Sequence, residues 1–385
     1  MKPLPVYPVY DIEPVRGEGA YIWDSKGDRY LDFYGGHAVI SIGHSHPHYV
    51  RRISEQLSRI GFYSNSVRMP IQEQYAQKLG ELSPYDDYDL FLCNSGAEAM
   101  ENAIKVAAFN SKRNRIIVFE KGFHGRTSMA VSCTDNDRIR TQFDNTAQIQ
   151  RLPLNDLDRL EKAFDEDVAA VIVEGILGIG GIHVPTPAFL QRIRSLCDQY
   201  QSVMVMDEVQ SGVGRSGKFF AHEWGGVKPD VIALAKGMGN GFPIGGVLVR
   251  PEMEAWKGML GSTFGGNHLA CAAGLAVLEV IEEESLLDNA LRREEELRTK
   301  LNDIQEIKEI RGHGLMLGLV FDIAIAELRK SLVFDHNVFT GSSSEPNVLR
   351  LLPPLSIGST EIDMFVEGLE TALRNLQVSQ PPVQV

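Results

Sequence analysis

From residue 89 to 249 this chain of 385 residues repeats one unit: a short apolar run, a glycine-rich exit, then an amphipathic stretch. Strands are expected at 89–93, 115–120, 169–174, 203–207, 231–235 and 246–249, with helices at 97–110 and 187–200 among those between. The runs are continuous rather than alternating, so both faces of their sheet must be covered. That dictates an α/β architecture, a mostly parallel sheet flanked by helices, with its site at the carboxyl ends of the strands. After about 265 the texture changes. A long helical tract is expected over 267–303, then a strand pair in EIRGHGLMLGLVFD and a strand in VLRLLPPL. A last helix opens at Thr360 and puts Ile362, Val366, Leu369, Leu373 and Leu376 on one face. Ahead of the repeat lie a hairpin turning at Lys26-Gly27-Asp28 and a helix near Pro47 with Val50, Ile53, Leu57 and Ile60 at helical spacing. The tail SQPPVQV is expected to be loose.

A formal net charge of −13 leaves no basic face for nucleic acid and no polybasic membrane patch. The apolar stretches at 168–184 and 231–249 are interrupted by Glu174, Lys236 and many glycines, so neither reads as a membrane span. The first residues lack a signal-peptide apolar region, and the four cysteines form no CxxC. A cytoplasmic protein with reduced, buried thiols is the expectation. His37, His44, His46 and His48 invite a zinc reading, but no cysteine or carboxylate nearby completes a ligand set, and capping and packing around a turn is the plainer one.

The chemistry is concentrated at strand exits. At Asn94-Ser95-Gly96-Ala97 a strand hands over to a helix. Free N–H groups and the positive helix end favour an anion there, Ser95 adds a hydroxyl, and Gly96 permits close approach. An ordinary capped helix is the bland alternative. In EKGFHGRTSMA (120–130), Phe123 can stack on a planar ligand and Arg126 can clamp a carboxylate. Asp207 ends VMVMD, where a carboxylate is costly unless a cation such as a protonated pyridine meets it. Lys236 follows VIALA in an apolar setting that depresses its pKa and favours a nucleophilic amine. Each alone could be a strand-end charge reaching water. Together with a phosphate nest and a stacking ring they specify pyridoxal 5′-phosphate. GVGRSG (212–217) matches a dinucleotide fingerprint, but KFFAHEWGGVKPD is a poor crossover helix and Lys236 stands where the acid is expected.

Nearly end to end, the chain resembles the class III aminotransferases of the ornithine and acetylornithine type. NSGAEA (94–99), FHGRT (123–127), MDEVQSGVGRSGKFFA (206–221), LAKGMGNGFPIGG (234–246), STFGGNHLACAA (262–273), RGHGLMLG (311–318) and LRLLPPL (349–355) carry the resemblance. It implies fold type I, with a large cofactor-binding domain at 51–265 and a smaller α+β domain from 1–50 and 266–385. It also implies a homodimer with shared active sites and ping-pong amino transfer between a small-molecule donor and 2-oxoglutarate. Lys236 resembles the Schiff-base lysine and proton carrier, Asp207 the pyridinium partner, Val209 the residue under the ring, Gln210 the donor near the ring hydroxyl and Phe123 the stacking ring. Ser95, Gly96 and Ala97 resemble the phosphate nest, completed by Thr263 from the other subunit, with Ser262 beside it near substrate. Arg126 and Arg350 match the two arginines that hold substrate carboxylates.

Two positions bear on substrate. Gly35-Gly36-His37 stands where enzymes for free ornithine carry a tyrosine, which resembles the acylornithine branch. The family usually reads VEPIQGEGG, whereas this chain reads VEGILGIGG (173–181), with Ile179 in place of the glutamate that pairs with the arginine at Arg350. The expectation is an N2-acylornithine aminotransferase of arginine biosynthesis. A succinyl group, with its own carboxylate, would suit the extra positive charge. The rivals are a 4-aminobutyrate or ornithine ω-aminotransferase, an aminomutase of the glutamate-1-semialdehyde type and a non-enzymatic binding role.

Overall fold

The computed structural model describes residues 1–144 and 147–379, so the tail from Gln380 lies outside the described residues. The chain opens with three antiparallel strands, β1 (Pro14–Glu18), β2 (Tyr21–Asp24) and β3 (Arg29–Asp32). Asp24 Oδ1 closes the β2–β3 turn by accepting from the N–H groups of Lys26 (3.0 Å) and Asp28 (2.9 Å), and Gly27 supplies the positive φ of 91°.

The large sheet holds β4 (Asp89–Cys93), β5 (Arg115–Phe119), β6 (Gln148–Leu152), β7 (Val168–Glu174), β8 (Val203–Asp207), β9 (Val231–Leu234) and β10 (Gly245–Val249). Their order is β4-β10-β9-β8-β7-β5-β6, all parallel except β10, which pairs antiparallel with both neighbours. Every residue of β7, β8 and β9 is buried, as continuous apolar runs require. β6, QIQRL, is not anticipated. It lies at the sheet edge and is only partly buried, so its polar residues are tolerated there.

A second small sheet is formed by β11 (Ile307–His313), β12 (Met316–Phe321), β14 (Gly341–Ser342) and β15 (Val348–Leu351) in the order β11-β12-β15-β14. The short β13 (Val338–Phe339) instead pairs parallel with β3, tying the carboxyl-terminal part of the chain to the amino-terminal hairpin. The expected helix over 267–303 is two, His268–Glu283 and Leu286–Leu301, broken where Ser285 adopts a positive φ of 51°. The last helix, Ser359–Ser379, buries Ile362, Leu369 and Leu373 as its stripe demands. The helix Pro47–Arg59 packs on His268–Glu283 but fully buries none of its residues: Val50 is 48% and Leu57 61% exposed, so part of its apolar stripe stays uncovered.

Candidate active site

The exits of β4, β5, β7, β8 and β9 converge on one cavity of about 430 Å³. Its lining includes Ser95, Gly96, Ala97, Phe123, Arg126, Glu174, Ile179, Asp207, Val209, Gln210 and Lys236. Nine of the twelve residues singled out in the sequence therefore meet at one place. Ser262, Thr263 and Arg350 are not among the lining residues.

One end of the cavity is the start of the helix Gly96–Ser111. Ser95 is its N-cap, its Oγ accepting from Glu98 N at 3.2 Å, while Glu98 turns back to accept from Asn94 N and Nδ2. The Gly96 and Ala97 N–H groups belong to the first turn and have no intrahelical acceptor. A Cβ on Gly96 would lie 2.6 Å from Val209 Cγ1, so only glycine lets helix start and β8 exit close together. Ser262 Oγ accepts from Asn94 Nδ2 at 3.0 Å, which holds its loop against this end, and Thr263 is exposed beside it.

On the floor, Asp207 is 4% exposed. Its Oδ1 accepts from Val209 N at 3.0 Å and its Oδ2 lies 2.8 Å from His124 Nδ1. Burial works against a charged His124. The hydrogen bond to Asp207 and the charges of Asp207 and Glu174 outweigh it and raise the imidazole pKa. Glu174 stands beside Asp207 in register on β7 and β8. Its carboxyl is pushed up to about 7, chiefly by burial, with Asp207 adding and His124 opposing. Neither His124 nor Glu174 figures among the site residues anticipated from sequence, although His124 adjoins Phe123 and Glu174 ends an apolar strand just as Asp207 does.

Lys236 has a positive φ of 46°, its carbonyl accepts from Gly239 N at 3.2 Å, and its ammonium forms no hydrogen bond or ion pair among the described residues. Burial holds its ammonium below the ordinary lysine range, against the pull of Asp207 and Glu174. Arg126 is exposed at the rim and is likewise unpartnered among the described residues. Arg350, on β15, is 1% exposed and among the described residues its side chain has only neutral acceptors: Ser342 O at 2.6 Å and Gln210 Oε1 at 3.2 Å. Burial lowers its pKa to about 10. The Gln210 amide donates in turn to His37 O at 3.0 Å. His37 sits in a left-handed turn, Gly35 to Ala38, whose four φ angles lie between 54° and 70°.

The histidines of the 44–48 stretch are dispersed. His44 meets Asp32, His46 meets Glu284 and caps the helix Pro47–Arg59, and His48 meets Glu279. No group of three or more metal-ligating side chains occurs among the described residues. GVGRSG forms a turn with no helix opening on it. The four cysteines are buried and free.

Free N–H groups at a helix start, a buried carboxylate and an unpartnered amine in one cavity fit pyridoxal phosphate, which needs an anion cradle, a pyridinium partner and a lysine. Sheet order and cavity define the class of a fold type I transferase dependent on pyridoxal phosphate. The family model for class III aminotransferases matches residues 6–373. An acetylornithine aminotransferase of Methanopyrus kandleri is 40% identical over 373 residues, covering 96% of each chain. The crystal structure of an ornithine aminotransferase from Toxoplasma gondii superposes with a TM-score of 0.91 at 30% identity, over 98% of this chain and 94% of that one. Another structure of that enzyme describes partial occupancy of pyridoxal phosphate at its active site. This chain belongs to the class III aminotransferases and is a pyridoxal-phosphate-dependent enzyme.

Proposed function

We propose that the chain moves the terminal amino group of an N2-acylornithine to 2-oxoglutarate, giving the N-acylglutamate semialdehyde and glutamate, as a cytoplasmic enzyme of arginine biosynthesis. The observation that carries this reading is the pair of arginines about one unpartnered lysine: Arg126 free at the rim, Arg350 held only by neutral acceptors. A donor's carboxylate would be held by one of these arginines with its amine toward Lys236, and the exposed Gly36 puts no side chain where free-ornithine enzymes carry a tyrosine. The acetylornithine name of the Methanopyrus relative points the same way.

In this reading Lys236 binds the cofactor and carries the proton, and Asp207, steadied by His124, holds the ring nitrogen. Val209 lies under the ring, Phe123 stacks on it and Gln210 stands near its hydroxyl. Ser95, Gly96 and Ala97 receive the phosphate. When bound, pyridoxal phosphate supplies the electron sink for the donor's carbon–hydrogen bond. A large domain at 51–265 then carries the cofactor, and 1–50 with 266–385 forms the smaller one, as the β3–β13 pairing favours. A homodimer is the working form. Thr263 is exposed, outside its own cavity, and Phe264 (60% exposed) packs on Phe62 (42%) near the uncovered stripe of Val50 and Leu57, a surface suited to a second copy delivering Thr263 and Ser262. No helix among the described residues is long and apolar enough to cross a membrane.

The decisive experiment is a half-reaction screen. Purified yellow enzyme is mixed with N-acetylornithine, N-succinylornithine, free ornithine and 4-aminobutyrate, and loss of the cofactor band is followed. Preference for free ornithine or 4-aminobutyrate would replace the acylornithine reading with an ω-aminotransferase, and turnover without an oxo-acid acceptor would indicate an aminomutase. Lys236→Ala abolishes the band and turnover; a normal rate would refute the assignment. A succinyl group is favoured over acetyl by one observation: Arg350 has no carboxylate partner among the described residues, and Ile179 lines the cavity where a competing acid would stand. A tenfold or larger kcat/KM preference for acetyl overturns that refinement.

A further inference from the structure

We infer that Glu174 is a positioning residue, whose single carboxylate sets both the aromatic wall of the cofactor pocket and the backbone beside the substrate arginine. The inference rests on the cofactor reading of the cavity. Glu174 ends β7, is 6% exposed and uses its two oxygens on two different loops. Oε1 accepts from Phe123 N at 2.8 Å and Oε2 from Gly178 N at 3.0 Å.

The first bond fixes the backbone of Phe123, and with it where its ring stands. The second fixes Gly178, one residue before Ile179. A Cβ at Gly178 would lie 1.8 Å from Gln210 Oε1, so the Gly178 backbone is in direct contact with the carbonyl that receives Arg350 Nη1. Moving Gly178 therefore moves the wall against which Gln210 and Arg350 are set. Ile179 is held from its other side by Ser344 N, which donates to its carbonyl at 2.8 Å.

The carboxyl group can do this in its ionised form, which both N–H bonds favour against burial. Two converging N–H donors need two acceptor oxygens on one short stem. Glutamine offers one acceptor, so one of the two N–H groups must face its amide NH2. A merely structural buried acid would not need to join the ring-bearing loop to the loop behind the substrate arginine.

The test is Glu174→Gln in the full-length holoenzyme, with two readouts beyond turnover. Hydrogen exchange is measured on peptides spanning 121–125 and 176–180, and visible circular dichroism is measured per bound cofactor. The expected result is tenfold or faster exchange in at least one peptide, an altered dichroic band and a tenfold or larger fall in kcat with KM changed less than threefold. Unchanged exchange in both peptides overturns the inference, and so does an unchanged band, whatever the turnover. If Glu174→Gln does not fold, Glu174→Asp, which keeps two acceptors but retracts them by one methylene, is read by the same criteria. Retained turnover in Lys236→Ala would remove the cofactor assignment instead, while the exchange result would still decide whether Glu174 ties the two loops.

Discussion

Asp207→Asn separates a catalytic charge from a structural one. The native carboxylate meets Val209 N–H at 3.0 Å through one oxygen and His124 Nδ1 at 2.8 Å through the other. Asparagine can keep the first bond with its carbonyl and turn its amide toward His124, which accepts in its neutral tautomer. The stability change is then the difference between a charge-assisted and a neutral hydrogen bond, about 1–2 kcal/mol, partly offset because no charge is left buried. The loss to catalysis is larger. A unit charge facing a ring cation at 4 Å, with an effective dielectric near 20, is worth about 4 kcal/mol. Each 1.36 kcal/mol is tenfold, so kcat falls by about three powers of ten. The assay pairs single-turnover rates at saturating cofactor with thermal unfolding of the same preparation. A kcat within tenfold of wild type refutes the pyridinium role. A fall in Tm large enough to account for the lost activity refutes the separation of the two effects.

Three further outcomes follow from the same geometry. Gly96→Ala places a methyl 2.6 Å from Val209 Cγ1, an overpacking worth about 1–3 kcal/mol, so titration should show cofactor affinity down tenfold or more; an unchanged Kd speaks against the cradle. Arg126→Ala should raise KM for the amino donor by about ten- to a hundredfold while cofactor affinity holds, since a charge-assisted clamp is worth about 1.5–3 kcal/mol; the reverse pattern removes the clamp. Glu174, among His124, Asp207, Lys236 and Arg350, keeps its proton up to about pH 7 in the folded state, against about 4.3 unfolded. The native state thus binds more protons between these values, and stability falls as pH rises through them, by roughly 4 kcal/mol at most. His124, also raised, acts in the same sense, and Lys236, lowered, acts oppositely at higher pH. Urea midpoints of cofactor-free protein should decline from pH 5 to 7, and less so in Glu174→Gln; a rise would reject the burial argument.

The sheet was legible because most of its strands are written as unbroken apolar runs, and β6 was not because QIQRL is mostly polar and only partly buried. Ser285 divides the 267–303 tract without glycine or proline, by an exposed left-handed residue, and no local signal announces it. Strand-exit residues could be found because a charge that ends a buried run is conspicuous. What sequence could not supply is register. Glu174 and Asp207 become neighbours only because β7 lies beside β8 in that alignment, and His124 reaches Asp207 only across the β5 exit. Glu174 carried the same signal as Asp207, an acid closing an apolar strand, and deserved the same reading.

Arg350 shows how a substitution is absorbed by geometry. Ile179 removes the acid that the family resemblance places against this arginine, and a buried guanidinium without donors' complements would be costly. The chain answers with neutral oxygens, the Ser342 carbonyl and the Gln210 side chain. Gln210 is aimed in turn by the His37 carbonyl, presented by a turn with four consecutive positive φ angles, two of them at non-glycine residues. At the two non-glycine residues, His37 and Ala38, such conformations cost about 1–3 kcal/mol each and persist where the surroundings impose them. Neutral acceptors direct the guanidinium without competing for its charge. A substrate carboxylate reaching Arg350 therefore displaces no anion, and it meets a cation that burial has left short of compensation. On the proposed reading, the amino-terminal turn and the loss of an acid at 179 act on the same guanidinium, and together they would favour substrates that bring carboxylates of their own.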